Sequence, residues 1–496
     1  MDGKSNMKRF LTKVDISGIQ NFIFDVNSKG AAKELKAKSF YVMILTEFIR
    51  KKFEDEFGEN YEFLYDGGGN AFFIISALDD HKIIELEKRF SSEQNIRILI
   101  SHQEIIEPFT ENFQKLNEKI TKLKYRQCPV REPININELK TIDWNIITDK
   151  IKTSRGYTIK AGSSSKELTL NYADYYIDFS DENDKLINNP NTILPMKYDS
   201  LKPYDFDEIG ELLSDSDANY LGALKLDVDN LGNLFRQLIK LEQFQALSKL
   251  IGEFFSKDIL DILLDVEFDN RIYVVFSGGD DCFLIGPWDY MFKLAIVIRE
   301  KFDKYIKNVI KMNEDLKNLD FNCTTLSASL IVTPTNFPMQ KIAEMAENEL
   351  HKAKTKDDSK NKLSVFGYIL NWEDFEDARD IANTLTELIT KKGETRAIIQ
   401  RIIKSHKGFE PLFKKAQKGK IEIPAIWRFK YYLRNSKNEE NRAILENEIF
   451  SKYSSDIFKK FMNPETKDVN PDKYMVAARW AEYLTKNKQT EELNDV

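Results

Sequence analysis

The 496-residue sequence contains few of the residues that build zinc sites and disulfide frameworks, with only three cysteines and four histidines. The cysteines are far apart and form no C-x-x-C pair, so neither a zinc ribbon nor a disulfide framework is expected. The histidines show no H-x-x-x-H spacing, and none is followed directly by an aspartate as in an HD motif, which argues against a histidine-rich metallohydrolase site. These residues are Cys128, Cys282 and Cys323, and His81, His102, His351 and His406.

Long apolar runs and a secretion signal are also missing. No run of about 18 apolar residues occurs, so no membrane-spanning helix is expected, and the N-terminus lacks the apolar core of a signal peptide. With few cysteines, this favours a protein of the reducing cytoplasm that does not contact a membrane. The net charge of −7, from 73 basic and 80 acidic residues, confines any nucleic-acid contact to a local patch.

The chain is long enough for about three or four domains, and it contains an internal duplication. The first 108 residues predict the order β-α-β-β-α-β, which is the ferredoxin-like pattern. Residues 216–370 repeat this order in longer form. YDGGGNAFF at 65–73 resembles FSGGDDCFL at 276–284, and LTKVDISGI at 11–19 resembles LKLDVDNLG at 224–232. Because two motif pairs recur in the same order, the duplication is better supported than either pair alone.

The remaining segments differ from the two copies. Residues 109–215 are less regular, and residues 371–496 have apolar residues at helical spacing. We therefore expect an α+β protein with two ferredoxin-like domains, an intervening α/β domain and a C-terminal helical bundle. Residues 391–434 carry 13 Lys or Arg against 3 Asp or Glu. This basic stretch is either a solvated helical face or a surface that contacts a phosphate backbone.

Carboxylates cluster in the second copy. Asp227 and Asp229 lie two residues apart at the end of a predicted strand, where alternation places both on one face. The SGGDD segment at 277–281 forms a turn between two further strands. If these strands are neighbours, three or four carboxylates converge and repel one another unless a cation neutralises them. Oxygen ligands suit Mg²⁺ or Mn²⁺, and such a site is typical of two-metal phosphoryl transfer.

Glycines and lysines accompany these carboxylates. Gly278 and Gly279 lack a Cβ, which lets a nucleotide approach the backbone. Lys352 and Lys354 end a helical stretch and are placed to meet a triphosphate as point charges. A lone GGDD is most often an ordinary acidic turn. The strand-borne aspartate, the intervening helix and the later lysines together favour a nucleotide site.

The first copy keeps the turn without the acidic pair. GGGN at 67–70 is followed by no acidic pair, and Asp15 and Asp66 are too few for a second two-metal site. Two roles remain open for this copy: a structural role, or binding of a second nucleotide without catalysis.

These motifs resemble the large polymerase-like subunit of type III CRISPR effector complexes, of the Csm and Cmr kinds. A diguanylate cyclase shares this chemistry but has a single palm and a GG[DE]EF turn, so it fits poorly. The resemblance spans nearly the whole chain. It rests on VDISGIQNFIF at 14–24, ELKAKSFYV at 34–42, LYDGGGNAFF at 64–73, LKLDVDNLG at 224–232, FSGGDDCFLIG at 276–286, LSASL at 326–330, AENELHKAK at 346–354 and ARWAEYLTK at 478–486.

The resemblance implies a domain plan and an activity. The domains would be a degenerate first palm (1–108), an intervening domain (109–215), a catalytic second palm (216–370) and a C-terminal helical domain (371–496). In this family the GGDD palm converts ATP to cyclic oligoadenylate when the complex binds target RNA. The implied partners are guide RNA, target RNA and neighbouring Csm- or Cmr-type subunits.

The resemblance also implies roles for individual residues. Asp280 and Asp281 would be catalytic, and the metals would be held by Asp227, Asp280 and Asp281, with Asp229 a weaker candidate. Ser277, Gly278 and Gly279 would line the nucleotide, and Lys354 would contact its triphosphate. The acceptor side between the palms would be shaped by Ser17, Gly18, Gly69 and Asn70.

Two departures from the family pattern lead to further expectations. Many members begin with an HD nuclease domain, whereas here the first palm starts within fifteen residues and no His-Asp doublet occurs, so no such DNase activity is expected. Many members carry a four-cysteine zinc site between the palms. Only Cys128 lies in that region, so we expect an intervening domain without a zinc site.

Two alternative functions remain open from the sequence. The chain is either an enzyme or a catalytically idle scaffold that binds guide RNA and neighbouring subunits, and the basic stretch motivates the second reading. An enzyme of this kind would also have the option of joining the adenylate to another acceptor, such as S-adenosylmethionine, instead of cyclising it.

Overall fold

The computed structural model describes the chain from residue 8 to residue 486 with several gaps. Cys128, Gly68 and the centre of the basic stretch lie outside the described residues. The gaps are 27–30, 68, 77, 79, 93–95, 107–108, 126–143, 155, 163–168, 173–174, 180–184, 187–203, 217, 407–425, 435, 437–438, 464–465 and 467–468.

The first copy is a four-stranded antiparallel sheet of order β2-β3-β1-β4, which confirms the predicted ferredoxin-like pattern. Helix α2 packs on one face because its apolar residues recur at helical spacing. We call this copy the first palm. Its elements are β1 (Phe10–Ser17), α1 (Ile19–Phe24), α2 (Ala31–Phe57), β2 (Tyr61–Gly67), β3 (Asn70–Ile75), α3 (Asp80–Ser92) and β4 (Arg97–Glu104).

The intervening segment contains a second, smaller sheet. Its strands follow the order β6-β7-β5-β8, with antiparallel pairing throughout. The elements are α4 (Thr110–Tyr125), α5 (Trp144–Thr153), β5 (Gly156–Ala161), β6 (Thr169–Tyr172), β7 (Tyr175–Asp178), β8 (Lys185–Leu186) and α6 (Phe206–Leu212).

The second copy, the second palm, has the same strand order with two strands added at one side. The sheet runs β10-β11-β9-β12-β13-β14. The last strand was not predicted from the sequence. The elements are β9 (Tyr220–Val228), α7 (Leu231–Phe235), α8 (Leu241–Glu253), α9 (Ile259–Leu263), β10 (Tyr273–Gly278), β11 (Asp281–Pro287), α10 (Trp288–Tyr305), β12 (Leu326–Pro334), α11 (Met339–Thr355), β13 (Lys362–Val365) and β14 (Tyr368–Asn371).

The described residues beyond β14 are helical, as predicted. Helix α12 begins at a side-chain cap, where the Asn371 side chain accepts a hydrogen bond from the Asp374 amide at 2.6 Å. The helices are α12 (Trp372–Thr390), α13 (Ala397–His406), α14 (Trp427–Leu433), α15 (Glu439–Ile444), α16 (Ser451–Met462) and α17 (Asp472–Leu484).

Apolar cores connect these parts. One core joins the second palm to the C-terminal helices, where Phe292 lies 4.5 Å from Trp480 between ring centroids. Another joins α1 and α2 of the first palm to the second sheet, where the Phe24 and Phe283 rings meet edge to face at 5.5 Å. The two palms are therefore packed directly on each other. No helix among the described residues is long and apolar enough to span a bilayer.

Candidate active site between the palms

Strand pairing brings three carboxylates together at one end of the second sheet. Asp227 of β9 lies directly opposite Asp281 of β11, so their side chains share a face. Asp280 precedes Asp281 in the turn, and its carbonyl accepts a hydrogen bond from the Val228 amide at 3.0 Å. The predicted carboxylate cluster required β9 to lie beside the SGGDD hairpin, and the two are paired in the structure.

Burial and mutual repulsion disfavour the ionised forms of these carboxylates. Burial raises the pKa of Asp227 to about 6, and the Lys354 ammonium, which forms an ion pair with it, opposes that rise. Burial also raises the pKa of Asp280, against the charges of Lys354 and Lys13. The pKa of Asp281 is raised well above its usual value by burial and by the negative charges of Asp280 and Asp227. Burial is the largest cause of all three rises, and nearby lysine charges oppose each of them.

Asp229 is held by hydrogen bonds from residues of three other positions in the second palm. Its side chain is completely buried, and Thr325 and Ser327 donate their hydroxyls to it at 2.7–2.9 Å. The Asn361 amide donates to the same carboxylate at 3.0 Å. Both oxygens therefore already accept hydrogen bonds, and a metal-ligand role for Asp229, the weaker candidate from the sequence, stays a prediction. We propose that it fixes the loops after β9 and before β13.

The SGGDD turn is anchored by a hydrogen bond to another part of the second palm. Gly279 has φ +67°, a conformation that glycine adopts without the steric cost borne by other residues. The Ser277 hydroxyl donates to the Phe255 carbonyl at 2.6 Å, in the π-helical turn Phe254–Asp258. Ser277 therefore anchors the turn by a buried bond, and its hydroxyl points into the protein.

A cavity of about 1050 Å³ lies between the two palms. This is at the upper end of the range for small-molecule sites, about 300–1,000 Å³. Five predicted site residues line it: Ser277, Gly278, Gly279 and Asp281 of the second palm, and Gly69 of the first. Asp227, Asp280 and Lys354 adjoin it through Asp281.

Three residues predicted on the acceptor side are not among those that line this cavity. Ser17 pairs with Arg97 across β1 and β4. Gly18 has φ +84° and begins α1, so its glycine character serves the backbone. Asn70 pairs with Asp15 in the first sheet. The structure therefore places these three beside the cavity wall, on the side of the first palm.

The first palm repeats the site geometry residue by residue. Asp15 lies opposite Asn70 as Asp227 lies opposite Asp281, and the Ile16 amide donates to the Gly69 carbonyl at 2.8 Å. Lys124 pairs with Asp15 at 2.9 Å as Lys354 pairs with Asp227. Gly69 and Asn70 thus stand where the second palm has its two turn aspartates.

The strand register corrects the sequence alignment of the duplication by one residue. Because Asp15 corresponds to Asp227, residues 11–19 correspond to 223–231, and not to 224–232 as predicted. Gly18 then corresponds to Asn230, and both have positive φ before a short helix, at +84° and +59°. The alignment of 65–73 with 276–284 agrees with the register, and each copy has a bulge two residues before its turn motif.

Within the described part of the chain, no group of three or more His, Cys, Asp or Glu is placed so that it could hold a metal ion. Asp227, Asp280 and Asp281 nevertheless offer oxygen donors of the kind that a hard cation takes, although their side chains are not arranged as its ligands here. The Lys354 ammonium takes the place of a counter-ion at Asp227. Metal ligation would therefore require the lysine to release this carboxylate.

Sequence reasoning missed two first-palm residues at this site. Tyr65 lines the cavity, and burial together with the charges of Asp280 and Asp66 raises its pKa. Lys13 donates to Asn117 at 3.0 Å, and its charge acts on Asp280. Tyr65 precedes the GGGN turn, so the duplication itself was a usable signal. Lys13 corresponds to Lys225 in the same register, but its approach to Asp280 depends on how the palms pack.

The cysteines and histidines carry no metal cluster among the described residues. Cys282 is buried in β11 and Cys323 is exposed. Two histidines contact aspartates distant in sequence: His102 lies 3.1 Å from Asp80 and His406 lies 3.0 Å from Asp472. Each pair has a single histidine, so neither resembles a histidine-rich metal site.

Two family models match separate parts of the chain. Residues 220–364 match the second palm domain of Cas10/Cmr2, and residues 8–133 match domain B of the Csm1 subunit. The first range begins at β9 of the second palm and ends within β13, before β14, and the second range contains all four strands of the first palm.

Curated relatives and solved structures agree with these matches. The Cas10/Csm1 proteins of subtype III-A from Methanocaldococcus jannaschii and Streptococcus thermophilus, named CRISPR system single-strand-specific deoxyribonucleases, are each 24% identical and cover 72% of this chain. The chain spans 59% and 53% of their lengths. In a crystal structure of an apo Csm1–Csm4 cassette, the matching chain aligns with 97% of this chain, and the alignment covers 71% of that matching chain. The two are 17% identical and have a TM-score of 0.71. In a crystal structure of the Csm1–Csm4 cassette in complex with cA4, the alignment covers 96% of this chain and 70% of the matching chain, at 18% identity and a TM-score of 0.66.

Proposed function

We propose that this chain is a nucleotidyltransferase that makes cyclic oligoadenylate from ATP. The matches confirm its resemblance to the Cas10/Csm1 proteins of type III CRISPR systems. It would act in the cytoplasm, within a complex with guide RNA and neighbouring subunits, after target RNA binds. The observation that carries this proposal is the convergence of Asp227, Asp280 and Asp281 beside a cavity that both palms line.

The residues of the site have distinct proposed roles. Asp227, Asp280 and Asp281 would hold Mg²⁺ or Mn²⁺, which would stabilise charge on the attacking hydroxyl and the leaving pyrophosphate. Gly278 and Gly279 would let the nucleotide approach the backbone. Lys354, once displaced from Asp227, would pair with the triphosphate. Gly69 and Tyr65 would form the wall on the first-palm side.

The proposed function is tested on the assembled complex. Incubation with target RNA, ATP and Mg²⁺ or Mn²⁺, followed by mass spectrometry, should give cyclic oligoadenylate, and chelation of the metal should abolish it. A parallel reaction with S-adenosylmethionine tests the alternative acceptor, which would give an adenylated adduct of that compound. If neither product forms with target RNA bound, the chain is not the proposed enzyme.

The roles of the two lysines at the end of α11 can be separated. Lys354 forms an ion pair with Asp227, whereas Lys352 is exposed and bonds Glu349 at 2.5 Å. We expect Lys354→Met to raise the KM for ATP about tenfold, the equivalent of roughly 1.4 kcal/mol. Lys352→Met is the matched control and should leave KM within about twofold. Equal effects of the two substitutions would contradict a specific triphosphate contact.

A scaffold role is the second candidate, favoured by an exposed aromatic and basic surface on α14. Trp427 and Tyr431 are 59% and 61% exposed, and the guanidinium groups of Arg428 and Arg434 lie 5.4 and 5.8 Å from their ring centroids. Such a surface suits stacking with single-stranded RNA. Part of the basic stretch is engaged internally, since Lys392 pairs with Glu440 at 2.8 Å. Loss of guide-RNA binding in Trp427→Ala/Tyr431→Ala would support this role, and unchanged binding would oppose it.

A further inference from the structure

Helix α2 of the first palm is hydrogen-bonded to the strand that leads into the SGGDD turn. Lys36 is fully buried, and its ammonium donates to the Val274 carbonyl at 2.5 Å. Ser39, one turn later and also buried, donates its hydroxyl to the Val275 carbonyl. In the opposite direction, the Tyr273 hydroxyl donates to the Ala32 carbonyl at 2.5 Å. Three consecutive residues of β10 are therefore tied to one face of α2.

These contacts fall where β10 is least supported by its own sheet. Among the described strands it lies at the edge of the sheet, with β11 as its single neighbour. It also contains a bulge between Val274 and Phe276, which leaves Val275 outside the regular ladder. Side chains from the first palm supply hydrogen-bond donors at this irregular point.

Burying a lysine costs free energy, because its ammonium must be desolvated, whereas an apolar side chain could fill the same space without this cost. Burial lowers the pKa of Lys36 to about 7, and the nitrogen can donate a hydrogen bond in either protonation state. Its ammonium also lies 4.7 Å from the centroid of the Tyr273 ring. The residue thus contributes a directed bond to the backbone in addition to its packing.

We propose that Lys36 and Ser39 are positioning residues through which the first palm holds β10, and with it the SGGDD turn, in place. From Val275 the chain runs five residues to Asp280. Ser277 fixes the same segment from the other side by its bond to Phe255. The turn is thereby held between the two palms, which gives the first palm a role in the site although its own turn lacks the acidic pair. The catalytic consequence rests on the proposed function.

The test compares Lys36→Met/Ser39→Ala with wild type in the full chain and in the assembled complex. Lys33→Met is the matched control, since it removes a lysine from the first turn of the same helix at a partly buried position. We expect amide hydrogen exchange of residues 273–281 to accelerate at least about tenfold in the double variant, with unchanged exchange in α12 and α17. In adenylate synthesis, kcat should fall about 10- to 100-fold while the KM for ATP stays within about twofold.

The outcomes separate this proposal from the proposed function. Unchanged exchange at 273–281, or faster exchange over the whole chain, would overturn the positioning role, as would local acceleration without a fall in kcat. If wild type makes no adenylate, the proposed function fails, while the exchange experiment still decides whether α2 holds β10. The same local effect in Lys33→Met would assign it to loss of charge on α2 and overturn the specific contacts.

Discussion

Replacing Asp280 and Asp281 together by alanine should reduce adenylate product on the order of 100-fold or more, the largest effect on activity that we expect of any change in this chain. Together with Asp227, both residues form the group of three carboxylates beside the cavity. Removing two of the three leaves too few oxygen donors for a divalent cation. The measurement is the rate of product formation by the assembled complex at saturating ATP and target RNA.

The same double variant should not lose stability. Burial and neighbouring negative charges raise the pKa of Asp281, so its ionised form is disfavoured in the folded protein. Alanine removes this repulsion, and we expect the thermal midpoint to equal or exceed that of wild type. Such an exchange of stability for activity is characteristic of functional sites.

A matched control separates loss of the site from loss of charge. Asp269 is an exposed aspartate of the same palm, shortly before β10. Asp269→Ala should leave product formation within about twofold of wild type. Full activity in Asp280→Ala/Asp281→Ala would contradict catalysis at the second palm, and a fall in its thermal midpoint would show that the carboxylates stabilise the fold.

The fold was predictable to the extent that local patterns determine it. Alternation and glycine turns located the strands of both palms except β14, and helical spacing located α2, α11 and the C-terminal helices. The duplication then fixed the relative order of these elements, since both sheets share the order of their first four strands. Domain boundaries remain a prediction.

The site was predictable in composition and less so in arrangement. The residues Asp227 and Asp281 were correctly expected to meet, because a hairpin and a neighbouring strand leave few alternatives. The surroundings of Asp229 were not predictable, since alternation describes the strand but not the residues beyond it, where Thr325, Ser327 and Asn361 donate hydrogen bonds to the carboxylate. Lys36 and the residue whose carbonyl it contacts, Val274, lie 238 residues apart in sequence, and no local pattern reveals such a pairing.

Two glycines far from the turn support the strand that carries Asp227. Gly222 of β9 lies opposite Gly286 of β11, and both face helix α10. A Cβ built on Gly222 would lie 2.8 Å from the Met291 Cβ and 2.9 Å from the Trp288 Cα. Because one of these atoms belongs to the helix backbone, a rotamer change cannot relieve the contact. The absence of a side chain at Gly222 therefore sets the distance between α10 and the central strand.

Gly222→Ala should accordingly cost about 3 kcal/mol, because the extra methyl group must push α10 away from a fully packed core. For a unit of 150–250 residues, this corresponds to a fall of roughly 6–12 °C in the midpoint of thermal unfolding. The matched control is Gly232→Ala in α7 of the same palm, where an added Cβ meets no heavy atom within 4 Å. Alanine is the better helix former by up to about 1 kcal/mol, so this control should be neutral or stabilising. Differential scanning calorimetry of the full chain measures both variants. Equal midpoints would show that α10 moves freely, and the second sheet would then not need its glycine pair.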